Sequence, residues 1–469
     1  MDYDLLVIGG GAAGIAAARA GVSAGANTAL VNDGPPGGDC TFVGCVPSKT
    51  LIEAAAHGCD FRTAMGRVHD AVARVAATED GPALRREGIE FLTGRAAFAT
   101  AEEIVVDGRR VRARRMVLAT GSHPAVPPIP GLRDVAYLTN ENVFELDAQP
   151  QHLAVLGGGV IGCELAQTFA RLGTQVTVVE GAERLLPRED SDASAVVARV
   201  FAAEGIDVRT GAPVTEVRET VVGGVELVLD AGPAVTADAV LVALGRAPVT
   251  DDLSLADAGV QVDERGAVRT DARLMTTAVG IFAAGDVTGR LPFTHAAYAM
   301  GRLAARNALL RRKAPFDTRA VPWVTFTSPE VARVGLTEAE AAERHRDARV
   351  AYLPMSELDR AITAGRTEGF VKIVAGPRQL LGNLAGGRVL GATIVADRAG
   401  EMIQEIALAM RTGAFTGRLA QTVHAYPSWS MGVQLAAAQF FGEFGGRVAR
   451  SADAGVAAVP ARVASRRGG

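Results

Sequence analysis

Two cysteines, Cys40 and Cys45, lie in the run Gly37-Gly38-Asp39-Cys40-Thr41-Phe42-Val43-Gly44-Cys45-Val46-Pro47-Ser48-Lys49, with four residues between them. That spacing is too wide for the Cys-x-x-Cys motif of a thioredoxin, and no second cysteine pair follows to complete a zinc site. A turn of helix can still bring two sulfurs so spaced within bonding distance. The chemistry expected is that of a redox dithiol, in which one thiolate attacks and therefore needs a depressed pKa. The remaining cysteines, Cys59 and Cys163, stand alone and are expected to be buried packing residues. Four cysteines in 469 residues are too few for a secreted disulfide framework and point to a reducing, cytoplasmic compartment. No metal-ligand cluster is expected.

The elements that must position this pair begin just before it. Leu5-Leu6-Val7-Ile8 reads as a buried parallel strand, Gly9-Gly10-Gly11-Ala12-Ala13-Gly14 as a turn, Ile15 to Ser23 as a helix and Thr28-Ala29-Leu30-Val31 as the next strand. In such a turn Gly9 allows the tight bend, Gly11 lets backbone approach a pyrophosphate, and Gly14 lets helix and strand pack closely. The helix N-terminus then faces the phosphates. The pattern returns later in the chain: strand Leu153 to Leu156, turn Gly157-Gly158-Gly159-Val160-Ile161-Gly162, helix Cys163 to Leu172, and strand Val176 to Glu180. Two dinucleotide sites in one chain are therefore expected, with Gly157, Gly159 and Gly162 repeating the roles of Gly9, Gly11 and Gly14.

An acidic residue normally ends the second strand and binds the ribose hydroxyls. In the first unit that place falls to Asn32, with Asp33 next. In the second it falls to Glu180, whose carboxylate would accept from both hydroxyls of NADH and repel a 2′-phosphate. Arg184 and Arg188 stand near enough in sequence to soften that preference, so NADH is expected ahead of NADPH.

At about 150 residues per domain, the length suggests roughly three domains. Hydrophobic residues make up 48% and charged residues 21%, and the net charge is −4 with both signs interspersed. That is a core-forming globular chain with no footing for nucleic acid or an anionic membrane. Met1-Asp2-Tyr3-Asp4 places acids where a secretory signal needs positive charge, and no segment approaches a membrane-spanning run. Glu103 to Ala119 reads as a β-meander ending in Ala119-Thr120-Gly121, Pro124 to Pro130 as a linker, and Gly400 to Met410 as a strong helix. A strand run ends at Ala243-Leu244-Gly245-Arg246, and another buried strand closes at Ala283-Ala284-Gly285-Asp286.

Taken together, the Cys40–Cys45 stretch, both glycine turns, Ala119-Thr120-Gly121, Gly245-Arg246-Ala247-Pro248 and Ala284-Gly285-Asp286 resemble the class I pyridine nucleotide–disulfide oxidoreductases. That family includes dihydrolipoamide dehydrogenase, glutathione reductase and mercuric reductase. The resemblance implies an α/β fold with two Rossmann-like dinucleotide-binding domains, for FAD and NAD(P), and a C-terminal α+β dimerisation domain in a homodimer. The FAD domain would span 1–148 and 271–320, the NAD(P) domain 149–270 and the interface domain 321–450, with 451–469 a disordered tail. Thr327-Ser328-Pro329-Glu330 and Val334-Gly335-Leu336-Thr337-Glu338 look like the start of the interface domain. Residue by residue, it implies that Cys45 is the thiol facing the flavin and Cys40 the interchange thiol facing the substrate. Lys49 and Glu164 resemble the ion pair kept beside the flavin. Gly38, Lys49, Thr120, Gly121, Asp286 and His295 would join the first glycine turn in binding FAD, and Gly245 the second turn in binding NAD(P).

One segment departs from the disulfide reductases of that family, which use a His–Glu pair near the C-terminus in the pattern His-Pro-Thr-x-x-Glu as general acid–base. The matching residues here are His424-Ala425-Tyr426-Pro427-Ser428-Trp429-Ser430-Met431, with Tyr426 at the histidine place and Met431 at the glutamate place. A tyrosine there resembles mercuric reductase, as does the following Gly432-Val433-Gln434-Leu435-Ala436-Ala437. The N-terminal metal-carrying domain and C-terminal cysteine pair of that subfamily are expected to be missing. His424, two residues before Tyr426, is expected on the same side of an extended segment, where it could replace the missing base. The reading is an FAD-dependent NAD(P)H oxidoreductase of the mercuric-reductase-like branch, passing electrons to a metal ion, a quinone or a small disulfide. The alternatives are a dihydrolipoyl dehydrogenase and a non-catalytic flavoprotein that senses NAD(P)H.

Overall fold

The computed structural model describes residues 1–221, 223–378 and 382–454. Two compact units result, one of residues 1–187, 197–318 and 325–327, the other of 188–196, 319–324 and 328 onward.

In the first unit the strands alternate with helices and pair in parallel. One sheet runs in the order Ile281–Ala283, Met116–Leu118, Leu5–Ile8, Thr28–Asn32, Glu90–Thr93. Its central strands are buried on both faces. Leu5 and Val7 pack with Ile15, Ala17 and Met300 of the helices Ala12–Ser23 and Thr294–Leu309. Leu6 and Ile8 point the other way, among Ile104, Val106 and Val111. That two-sided burial is why these strands read as continuous apolar runs and not as alternating ones. A second parallel sheet has the order Asp207–Arg209, Gln175–Val179, His152–Leu156, Ala239–Val242.

Several boundaries differ from expectation. The helices after the two glycine turns begin earlier, at Ala12 and Val160, because Gly11 and Gly159 cap them through backbone alone, without the Ser, Thr or Asp signal that marks a start. The expected meander is instead the three antiparallel strands Ala96–Thr100, Glu103–Val106 and Arg109–Arg112. Met116–Leu118 leaves them for the parallel sheet, as its unbroken burial requires. The expected linker opens with a strand, Ser122–Pro124, paired to Arg246–Pro248.

The second unit is built on a six-stranded sheet ordered Pro322–Thr325, Glu330–Gly335, Arg388–Ala396, Phe370–Gly376, Arg349–Pro354, Arg450–Ser451. The helix Ala399–Thr412 buries Met402, Ile403 and Ile406 against it and ends at Gly413 with φ 69°. Thr337 and Glu340 form a reciprocal capping box on the helix Glu338–Arg344. Lys372, mid-strand and 1% exposed, is held by Asp190 at 2.9 Å, Asp192 at 2.7 Å and Glu338 at 2.9 Å. Burial opposes its charge, but Asp190 and Asp192 carry its pKa upward. The first residues of the expected disordered tail are ordered: Arg450–Ser451 pairs with Arg349 and Val350 and Ala452–Ala454 forms a turn, while the rest of that expectation, 455–469, lies outside the described residues. No helix among the described residues is long and apolar enough to cross a membrane.

Candidate active site: a dithiol beside the first of two dinucleotide turns

The two glycine turns share one geometry. Gly9 and Gly157 adopt φ +107° and +106°, a conformation side chains rarely take. A Cβ on Gly14 would stand 1.8 Å from the Gly9 carbonyl oxygen, and one on Gly162 would stand 1.9 Å from that of Gly157. By contrast a Cβ on Gly159 would enter open space, and one on Gly11 would meet only the Gly38 Cα at 3.9 Å. Neither Gly11 nor Gly159 offers a side-chain cap, so the first-turn N–H groups of both helices remain for a ligand. Each cradle fits a pyrophosphate, and hence the FAD and NAD(P) implied by the sequence.

The residues closing the two turns differ. Glu180 follows the strand Gln175–Val179, and its two carboxylate oxygens accept from Gly158 N–H and Ala182 N–H, both at 2.7 Å. Asn32 accepts from Gly10 N–H at 2.8 Å and donates through Nδ2 to the carbonyls of Gly34 at 3.0 Å and Pro35 at 3.3 Å. Asn32 thus keeps one acceptor lone pair for a ribose hydroxyl and no free donor. Asp33 is exposed and lies 3.9 Å from the Arg95 guanidinium.

The dithiol segment is fastened to the first turn by Gly37 N–H, which donates to the Gly10 carbonyl at 2.8 Å. Gly38, at φ +62°, comes so close to Gly11 that a Cβ would stand 2.7 Å from its Cα. Cys40 lies in the short helix Gly38–Phe42, and Cys45 is the first residue of the helix Cys45–Ala56. Both are free thiols, hydrogen-bonded to one another. The Cys45 sulfur also lies 3.2 Å from the Thr294 hydroxyl, at the first residue of the helix Thr294–Leu309. Two helix N-termini therefore meet at one sulfur, the arrangement that favours a thiolate. The Cys40 thiol is the largest influence lowering the Cys45 pKa; Thr294 and Lys49 add to it, burial and Glu164 oppose it, and the result is about 6. The Cys40 thiol is pushed the other way by donating to Cys45 and by burial.

One turn along the same helix, Lys49 reaches Glu164 at 2.8 Å. Glu164 is buried, and its other oxygen accepts from Phe326 N–H at 2.8 Å, while the Lys49 ammonium lies 4.7 Å from the centre of the Phe326 ring. The pair joins residues 115 apart in sequence. Asp286 accepts from the Ser122 hydroxyl at 2.7 Å, and burial raises its pKa. Thr120 donates to the Val249 carbonyl at 2.6 Å, and Gly121 accepts from Val249 N–H at 3.0 Å. Gly245 has φ +126° and accepts from Ala125 N–H at 3.0 Å. His295 stacks on Phe293 with ring centres 5.8 Å apart. Cys163 is fully buried, its thiol donating to the Gly158 carbonyl at 3.2 Å, whereas Cys59 is only partly covered.

In the second unit the expectation for His424 and Tyr426 is corrected. The His424 side chain is 8% exposed and bonds through Nε2 to Glu405 at 2.9 Å. Tyr426 is 70% exposed and donates to Asp359 at 2.9 Å. The two rings serve different neighbours because the segment between Gln421 and Met431 is not a strand, so a two-residue period does not apply. Sequence reasoning also missed Thr294, Arg246, Asn140, Asp359 and Glu405. Thr294 opens a helix and directly precedes His295, a local signal that could have drawn notice; the others act across long sequence separations.

Comparison with known proteins identifies the family. The family described as pyridine nucleotide-disulphide oxidoreductase matches residues 3–301, and its dimerisation domain matches residues 321–437. A mercuric reductase of Bacillus cereus is 34% identical across 94% of this chain and 72% of its own. A dihydrolipoyl dehydrogenase of Thermus scotoductus is 36% identical across 93% of this chain and 96% of its own. The Cu(II) complex of the HOCl-induced flavoprotein disulfide reductase RclA from Escherichia coli superposes with a TM-score of 0.86 at 32% identity, covering 93% of this chain and 99% of that one. The chain therefore belongs to the class I pyridine nucleotide–disulfide oxidoreductases and is an FAD-dependent NAD(P)H oxidoreductase.

Proposed function

We propose that this enzyme passes two electrons from NADH through the Cys40–Cys45 pair to a thiophilic metal ion, in the manner its mercuric reductase relatives' name describes. The observation that supports the reading is Tyr426, which the sequence resemblance sets at the place of the disulfide reductases' base and which is exposed and held by Asp359. A tyrosine of ordinary or raised pKa is a poor proton acceptor near neutrality, and hydrogen bonding to Asp359 raises this one. A soft cation needs no such base, because thiolate sulfur is its preferred ligand.

Bound FAD supplies the two-electron relay between nicotinamide and disulfide. The protein's part is to hold the products of disulfide opening, in which a hydride equivalent yields one thiol and one thiolate. Cys45 takes the thiolate, between Thr294 and the N-termini of two helices. Cys40 keeps the proton and presents the exchanging sulfur. Lys49, held by Glu164, places positive charge one turn away. Glu180 favours NADH by opposing a 2′-phosphate. We assign residues 1–148 and 271–320 to FAD, 149–270 to NAD(P) and 321–450 to a homodimer interface, in a cytoplasmic protein.

A second reading, dihydrolipoyl dehydrogenase, draws support from the His424–Glu405 pair, a histidine–carboxylate couple in the same segment. An acceptor panel separates the two. Thiol-complexed Hg(II) and Cu(II), lipoamide, quinones and oxygen are offered to the wild type and to Cys40→Ser and Cys45→Ser. Metal-dependent NADH oxidation that both variants lose is the expected result. Rapid lipoamide turnover by the wild type would favour the second reading. Full activity of both serine variants toward every acceptor would remove the dithiol from the route.

A further inference from the structure

Arg246 opens the strand Arg246–Pro248, paired to Ser122–Pro124, and its guanidinium ties that strand pair to the segment that carries Cys40. Its guanidinium pairs with Asp39, in the first turn of the Gly38–Phe42 helix. It also donates to the Ser122 hydroxyl at 2.7 Å, the Ser122 carbonyl at 2.6 Å and the Asn140 side-chain oxygen at 3.4 Å. Asn140 is 7% exposed, and its amide nitrogen donates to the Val43 carbonyl at 3.2 Å. Val43 caps the C-terminus of that same helix. One arm therefore grips the helix at its start and the other at its end, with Cys40 between them. Both arms are anchored beside the Ala239–Val242 strand: Arg246 lies four residues beyond its end, and Leu138, two residues before Asn140, exchanges hydrogen bonds of 2.7 Å with Val240 and Val242.

We infer that Arg246 and Asn140 are positioning residues that clamp the Cys40 helix from both ends, holding the exchanging sulfur against Cys45. A helix of five residues has almost no stability of its own, so its pose must come from such outside bonds. The side-chain bonds at its two ends come from Arg246, at Asp39, and from Asn140, at Val43. The inference rests on the assignment of Cys40 as the exchanging thiol.

The test uses the FAD-loaded, dithiol-reduced enzyme and follows Cys40 alkylation by iodoacetamide, read by peptide mass. Asn140→Ala frees one end and Arg246→Lys loosens the other while keeping the charge. Each is expected to raise the Cys40 alkylation rate about fivefold, the factor carried by one net hydrogen bond of ordinary strength. The double variant should fall short of the product of the two, because both act on one helix. In stopped flow, reoxidation of the dithiol by acceptor should slow more than flavin reduction by NADH. Wild-type alkylation rates in both single variants would overturn the clamp, as would equal slowing of both half-reactions. If Cys40→Ser retains acceptor turnover, the proposed function fails, yet the alkylation rates still report on the clamp.

Discussion

The hydroxyl of Thr294 offers the most direct test of how the Cys45 thiolate is held. It lies 3.2 Å from the sulfur, and replacement by valine removes the donor while keeping the shape. A hydrogen bond to a charged group contributes about 1.5–3 kcal/mol, and one pKa unit corresponds to about 1.4 kcal/mol, so the bond could shift the thiol by roughly one to two units. The Cys45 residue is exposed even though its sulfur is partly desolvated, and that solvent access screens the effect toward the lower figure. Loss of a donor disfavours the thiolate, so the pKa rises: from about 6 in the wild type to roughly one unit higher in Thr294→Val. The assay is a pH titration of the long-wavelength thiolate–flavin absorbance in the two-electron-reduced enzyme. Thr294→Ser should titrate like the wild type. A Thr294→Val curve that overlays the wild type, or moves to lower pH, would refute the reasoning.

Three further outcomes are expected. Gly14→Ala forces a methyl group onto the Gly9 carbonyl, so flavin retained through gel filtration should fall, with a stability loss of about 1–3 kcal/mol read by thermal unfolding. Lys372→Met leaves Asp190 and Asp192 without their cation, while Glu338 keeps Arg450 at 2.5 Å, and should cost about 3–5 kcal/mol in denaturant unfolding. Glu330 accepts from Gly400 N–H, and burial raises its pKa to about 7. A carboxyl that binds its proton more tightly folded than unfolded contributes stability below the unfolded pKa and loses it as pH rises through the folded one. Glu330→Gln should therefore flatten the fall in Tm between about pH 4.5 and 7, a span worth about 2 kcal/mol after allowance for partial exposure.

Both glycine turns were legible because their information is local: strand, turn and helix follow within a dozen residues, and the backbone demand falls on glycines that no other residue can replace. The dithiol was legible as a pair, but its electrostatics were not. Thr294 is 249 residues from Cys45, and nothing in either neighbourhood announces the other. Lys49 and Glu164 could be paired beforehand only through resemblance to a family, since each alone reads as an ordinary helix residue. Arg246 stood inside a recognised motif, yet its grip on Asp39 depends on how a sheet edge meets a helix, which no periodicity encodes. The placement of His424 failed for a related reason: a two-residue period was applied to backbone that is not a strand. Lys372 sits in an otherwise apolar run and is tolerated only because distant carboxylates converge on it.

The two nucleotide cradles are nearly congruent, so what separates their tenants must lie at the strand ends. An amide can donate as well as accept, and Asn32 uses both amide hydrogens to draw Gly34 and Pro35 back over its strand. A carboxylate has no hydrogen to give, and Glu180 only accepts, from Gly158 N–H in the turn and from Ala182 N–H just beyond the strand. Both cradles are pinned by one equivalent backbone bond, Gly37 N–H to the Gly10 carbonyl in the first and Leu186 N–H to the Gly158 carbonyl in the second, each 2.8 Å. One chain thus uses one device twice and varies the side chain at the strand end, an amide in the first copy and a carboxylate in the second.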